Sequence, residues 1–317
     1  MSFKAEKARF LANILKAQRN MAKRLENPPR GSWNLAPDQF SKKVRVKTWD
    51  IDGFRGVTVN GSYPGNGHIL MLPGGAYAFE PEKAHREIAE RFALMDHLKV
   101  SVLEYPLSPE YTALDAHHIL IRAYQKLISE YPQDKFYLFG DSSGGGLALS
   151  FLQQLREVGT LPMPEKTAVV SPWLDIGLAN PKIKLARRND PILPVEALVE
   201  AGAKYRGPFD AEDPLVSPIF GNWENLGRIL VFSGTEEIMT PDCELLAEKT
   251  ERANRTQLIY RKAARMVHDW ITIPCKEREV TLDLIAGFFL EEEERPRVIK
   301  LGDTRPKKVV EETVEEA

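Results

Sequence analysis

Short apolar runs recur along the middle of the chain at His68–Leu72, Val100–Tyr105, Phe136–Phe139, Thr167–Val170 and Arg228–Phe232. Stretches of helical periodicity separate several of them: Ala113–Ile128, Leu147–Val158 and Pro241–Arg252. Short, predominantly apolar strands four to six residues long, alternating with amphipathic helices, predict a mainly parallel sheet covered by helices on both faces. Before this region, Lys43–Val59 has the residues of two paired strands with Asp52-Gly53 as the turn. After it, Gln257–Arg261 reads as a further strand and Val280–Leu290 as a closing helix. Between Asp175 and Leu215 the pattern loosens around Pro181, Pro191, Pro194 and Pro208, where a lid or cap inserted between two strands is expected.

The two ends differ from the middle. Phe10, Leu11, Ile14, Leu15, Met21 and Leu25 approximate helical spacing within a basic segment that Pro28 and Pro29 stop. This predicts a helix packed on its own domain, since the aromatic anchors of a membrane-surface helix are sparse. Residues 1–50 carry 12 Lys/Arg against four Asp/Glu, and residues 291–317 nine acids against six bases. The acidic tail reads as solvated surface.

Composition narrows the class. The 317 residues are 43% hydrophobic and 28% charged, as in ordinary globular proteins, and the formal charge of −2 gives no reason to expect nucleic acid as a partner. Cys243 and Cys275 form neither a disulfide framework nor a metal-like spacing. Charges interrupt the first 16 residues, and no run approaches the roughly 20 apolar residues a bilayer span needs. The expectation is a soluble, cytoplasmic protein without stable membrane insertion.

Candidate chemistry centres on Gly140-x-Ser142-x-Gly144, which an apolar strand enters and a helical pattern leaves. Flanking glycines allow a sharp turn that exposes the serine Oγ, and the helix N-terminus behind it favours developing negative charge. A phosphate-binding loop would want Gly-Lys-Ser/Thr, which is absent. A serine nucleophile needs a base, usually histidine. His68, His85, His97, His117 and His118 sit in or beside strands and helices upstream of the serine, while His268 follows the last predicted strand. Ser, acid and His occur in that order on this type of scaffold, so His268 is the expected base. The acid belongs in the loop after Arg228–Phe232, where Glu237, Asp242 and Glu236 compete. Asp242 also suits a helix start behind Thr240-Pro241, which favours Glu237. The oxyanion of a tetrahedral intermediate needs N–H donors. Ser143 should supply one, and the loop Leu72-Pro-Gly-Gly-Ala-Tyr77 the others.

Taken together these motifs resemble the hormone-sensitive-lipase-like branch of the α/β-hydrolases, which includes many bacterial esterases. Pro73-Gly-Gly-Ala76 stands where that family has His-Gly-Gly-Gly, followed in the family's order by Glu104-Tyr-Pro-Leu-Ser-Pro-Glu110, Gly140-Asp-Ser-Ser-Gly-Gly145 and His268. Ser171-Pro-Trp-Leu-Asp175 and Asp213-Pro-Leu-Val-Ser-Pro218 add to the likeness, which spans about residues 40–290. The resemblance implies an α/β-hydrolase fold with a catalytic domain over residues 41–290. Residues 1–40, with an insertion about 175–215, would form a helical cap, and residues 291–317 a charged tail.

It further implies an oxyanion hole from the N–H groups of Gly75, Ala76 and Ser143, with Gly74 shaping the approach and Glu110 bracing the architecture behind the nucleophile. Pro73 in place of histidine, Ala76 in place of glycine and Glu237 in place of the usual Asp are departures. The implied activity is hydrolysis of short-chain carboxylic esters, a small-molecule substrate, through Ser142, His268 and Glu237 without metal or organic cofactor; a homodimer is a family-level expectation. An amidase or arylformamidase would use the same residues, and a non-catalytic binder of the same fold is the reading from a different class.

Overall fold

Asp52 and Gly53 turn the chain back on itself. Both take positive φ, 52° and 90°, the left-handed pair favoured in two-residue hairpins. Strand β1 (Arg45–Ile51) thereby pairs antiparallel with β2 (Phe54–Asn60), starting from Ile51 opposite Phe54. The computed structural model describes residues 16–291. Six further strands join this hairpin: β3 (Gly67–Leu72), β4 (Lys99–Leu103), β5 (Lys135–Asp141), β6 (Lys166–Val170), β7 (Gly227–Glu236) and β8 (Thr256–Val267). The eight-stranded sheet runs in the order β1-β2-β4-β3-β5-β6-β7-β8, antiparallel at β1/β2 and β2/β4 and parallel elsewhere.

Strand side chains alternate between faces, so an all-apolar strand serves two cores at once. On one face Leu70, Leu72, Phe136, Leu138, Val169, Ile229 and Val231 meet α3 (Ala113–Glu130), α4 (Ser142–Val158) and α7 (Thr240–Thr250). Their sequence neighbours Ile69, Met71, Tyr137, Phe139, Ala168, Val170, Leu230 and Phe232 face the opposite layer, built on α2 (Lys83–Met95) and α8 (Lys276–Leu290). Each fully buried Leu, Ile or Phe contributes about 2 kcal/mol by leaving water.

Several elements are longer than their periodicity predicts. Helix α4 begins at Ser142, five residues before Leu147, because Gly144, Gly145 and Gly146 are poor helix formers that a strict pattern leaves out. Strand β7 runs on to Glu236 and β8 to Val267. His85 lies inside α2, its ring Nδ1 accepting the Glu82 N–H at 2.8 Å, and only His97 flanks that helix.

The stretch 175–215 contains the short α5 (Ile183–Ala186) and α6 (Val195–Arg206). The helix over residues 16–26, α1, has Leu25 in the core and Met21 against it. Its Gln18 side chain donates to the Asp190 carbonyl at 3.0 Å. Phe10, Leu11, Ile14 and Leu15, and the tail beyond residue 291, lie outside the described residues. None of the described helices is long and apolar enough to cross a membrane.

Candidate active site

Parallel strands that end in register release their next residues side by side. Asp141, the last residue of β5, pairs with Val170, the last of β6, so Ser142 and Ser171 emerge as neighbours. Glu236 of β7 pairs with Val267 of β8 across an irregularity at Gly234/Glu236, so Glu237 and His268 emerge as neighbours. The structure brings three of the expected residues into one line. His268 Nε2 lies 2.9 Å from Ser142 Oγ, and His268 Nδ1 lies 2.7 Å from Glu237 Oε2.

Ser142 takes φ 50°, a conformation L-residues other than Gly, Asn and Asp seldom adopt. The surrounding backbone leaves it little choice. A Cβ on Gly144 would stand 1.9 Å from the Leu72 carbonyl oxygen, and one on Gly140 would stand 2.4 Å from the Gly144 oxygen. The Ser142 carbonyl accepts the Trp173 N–H at 2.9 Å, which ties the turn to the segment after β6.

Glu237 is buried and fully occupied. Besides His268 it accepts the Gly234 N–H at 2.5 Å and the Ser171 hydroxyl at 3.0 Å. Burial pushes its carboxyl above the ordinary value, and the His268, Gly234 and Ser171 contacts offset part of that rise. Asp242, the alternative acid, lies instead in the first turn of α7, where its Oδ1 accepts the Asn180 side-chain N–H at 2.8 Å. Its pKa is pushed up to about 6, chiefly by burial and further by Asp175, against the Asn180 hydrogen bond. Glu236, the third candidate, belongs to the end of β7.

The glycine loop approaches the serine closely. The Gly74 N–H donates to Asp141 Oδ2 at 2.9 Å, and a Cβ on Gly74 would sit 2.3 Å from that oxygen and 3.0 Å from the Ser142 Cβ. Gly74 therefore offers proximity rather than a free donor. Gly75 (φ 140°) and Ala76 (φ 53°) both adopt left-handed backbone. The N–H groups of Gly75, Ala76 and Ser143 have no protein acceptor among the described residues. Ser143 lies in the first turn of α4, where N–H groups point out of the helix. The loop has three further tethers: the Tyr105 hydroxyl donates to the Pro73 carbonyl at 2.7 Å, the Ser108 N–H to the Tyr77 carbonyl at 2.8 Å, and the ring of Tyr205 on α6 stacks on Tyr77 at 3.7 Å between centroids.

Glu110 is half exposed and pairs with Arg30 at 2.6 Å, and the same guanidinium donates to the Ala78 and Ser108 carbonyls. Other residues had no signal in the sequence beyond their place in a motif. Ser171 bridges Glu237 and the Asp269 N–H, the latter at 3.1 Å. Asp190, in the stretch before α6, is buried and accepts the Ile238 N–H at 2.9 Å, bracing the residue that follows Glu237. Among the described residues one group could offer three metal-type ligands, His85, Asp141 and Asp269, but Asp141 Oδ2 already accepts the Gly74 N–H and lies 3.1 Å from His85 Nε2.

A mostly parallel sheet with a strained serine between β5 and α4, a histidine after the last strand and a buried carboxylate behind it defines a hydrolase built for acyl transfer. The model of the family described by the alpha/beta hydrolase fold matches residues 69–272, and the chain belongs to that family. Among its relatives, an esterase of Acinetobacter venetianus is 30% identical over 67% of this chain and 70% of its own length. An acetyl-hydrolase of Streptomyces hygroscopicus is 29% identical over 64% of this chain and 67% of its own. A solved esterase of the bacterial hormone-sensitive lipase family, 22% identical, shares the fold with a TM-score of 0.75 over 88% of this chain and 98% of its own.

Proposed function

We propose that the protein hydrolyses short-chain carboxylic esters through a Ser142–His268–Glu237 triad. Ser142 Oγ attacks the ester carbonyl while His268 Nε2 takes its proton. The tetrahedral intermediate then collapses: the ester C–O bond breaks, and His268 returns the proton to the leaving alkoxide. Water attacks the acyl-serine in the reverse sense, giving the carboxylic acid and free Ser142. Glu237 holds the Nδ1–H of His268 and stabilises the imidazolium. The N–H groups of Gly75, Ala76 and Ser143 receive the oxyanion, and Gly74 lets their loop come close. The stretch 175–215 and α1 act as the cap over this site.

The observation that carries the reading is the continuous hydrogen-bonded line from Glu237 through His268 to a serine held at positive φ. The acetyl-hydrolase among the relatives supports a small acyl group. The test is hydrolysis of p-nitrophenyl acetate, butyrate and octanoate by the wild type and by Ser142→Ala. Activity should fall with acyl length and drop by about 10⁴-fold or more in the variant. Equal rates in both proteins, or a matched anilide cleaved faster than its ester, would sink it.

A further inference from the structure

The residues on either side of the Ser142–His268 contact form a second buried contact. Asp141 precedes Ser142 and Asp269 follows His268, and the structure brings their carboxyl groups together. Their oxygens and a ring nitrogen of His85 all lie within 4.8 Å of one another. Asp141 is wholly buried, and its Oδ2 contacts both the Gly74 N–H and His85 Nε2. Its Oδ1 and the buried Oδ1 of Asp269 have no N–H or O–H donor. Two ionised carboxylates this close in a dry site repel strongly, and two acceptors facing each other leave both unsatisfied. One proton between them removes both penalties.

We propose that Asp141 and Asp269 share a single proton, and that this acid pair is a positioning device locking the turn at Ser142, the loop at His268 and the glycine loop into one register. The proposal rests on the reading of Ser142 and His268 given above. Asp141 carries the charge of the pair: burial opposes it, but His85, the Asp269 hydroxyl and the Gly74 N–H outweigh burial and hold its carboxyl below the ordinary range. Asp269 carries the proton, raised well above the ordinary range by burial, by Asp141 beside it and by Glu237 and Glu82 around it. His85, reaching in from α2, accepts the Glu82 N–H on Nδ1 and so presents its Nε2–H to Asp141 Oδ2. Burial acts against its charge, but Asp141 and Glu82 raise its pKa. The proton closes a ring: Gly74 to Asp141, Asp141 to Asp269, and Asp269 through the main chain to His268 and back to Ser142.

Asp269→Asn keeps a donor toward Asp141 Oδ1 and removes the titration, while Asp269→Leu removes both. The asparagine variant should retain kcat within about threefold, and the leucine variant should lose about tenfold in kcat with little change in KM. Thermal unfolding supplies a readout independent of ester hydrolysis. A carboxyl with a raised folded-state pKa contributes stability that is complete below the unfolded value near 4 and is lost as pH rises toward the folded one. The Tm of Asp269→Asn should therefore gain on that of the wild type steadily as pH rises from about 4 to 8. A pH-independent difference, or asparagine losing as much kcat as leucine, would overturn the shared proton. So would a rise in wild-type Tm on adding zinc or manganese that Asp269→Asn abolishes, because a cation would then be the natural occupant. If the leucine variant fails to fold, the asparagine Tm series still decides. Absence of esterase activity in the wild type would count against the proposed function and leave that series intact.

Discussion

The two sides of the candidate site are held in opposite ways. Ser142, Glu237 and His268 each follow within one residue of a parallel strand's end, so the ladder of the sheet fixes where they start. The glycine loop from Pro73 to Tyr77 leaves its strand at Leu72, and contacts from distant parts of the chain determine its path: Tyr105 and Ser108 after β4, Asp141 at the end of β5, and Tyr205 on α6. Geometry anchored in a ladder changes only if the sheet changes. Geometry anchored in side chains can be loosened one contact at a time, and the difference separates residues whose loss abolishes turnover from residues whose loss tunes it.

The strand-end side should give the larger effects. Glu237→Gln should lower kcat by about 10³-fold, since the base loses both its orientation and the charge behind it. Asp242→Asn, altered five residues away in the same connection, should leave kcat within about threefold. It should also change stability in a defined window. With a folded pKa of about 6, Asp242 contributes stability that is complete below its unfolded value near 4 and lost as pH rises through 6. In urea unfolding the asparagine variant should therefore gain on the wild type between those limits by on the order of 2–3 kcal/mol. Similar activity losses in the two variants would break the distinction between an oriented acid and a helix-start acid.

Smaller effects belong to the loop. Tyr105→Phe removes the hydrogen bond to the Pro73 carbonyl while keeping the ring, and kcat/KM for p-nitrophenyl butyrate should fall about tenfold. Tyr205→Leu deletes the ring stacked on Tyr77, and a fall of about threefold is expected, mainly in kcat. A loop variant as damaging as Glu237→Gln would erase the contrast between the two sides.

The same contrast explains what was legible in the sequence. Apolar runs marked the inner strands because burial on both faces favours apolar side chains at most positions. Ser142, Glu237 and His268 stood out as candidates because strand ends and glycine spacing are local features. Their partners are not local. Ser171 reaches Glu237 across 66 positions of sequence, and Asp190 braces Ile238 across 48. Nothing in their immediate neighbours encodes either contact. The partner of Glu110 is equally remote, since Arg30 lies 80 residues away in sequence. The early start of α4 was hidden because its glycines serve close approach to Leu72 and Trp173 at the expense of helix propensity.

The φ of 50° at Ser142 has a consequence for how such a protein could change over time. A left-handed residue with a Cβ costs on the order of 1–2 kcal/mol, and glycine would relieve it. Selection for thermal endurance alone would therefore drift position 142 toward glycine and extinguish the proposed chemistry as it did so. A descendant of this chain freed from turning over its substrate should be recognisable by that one replacement, and by a protein more robust than its active ancestor.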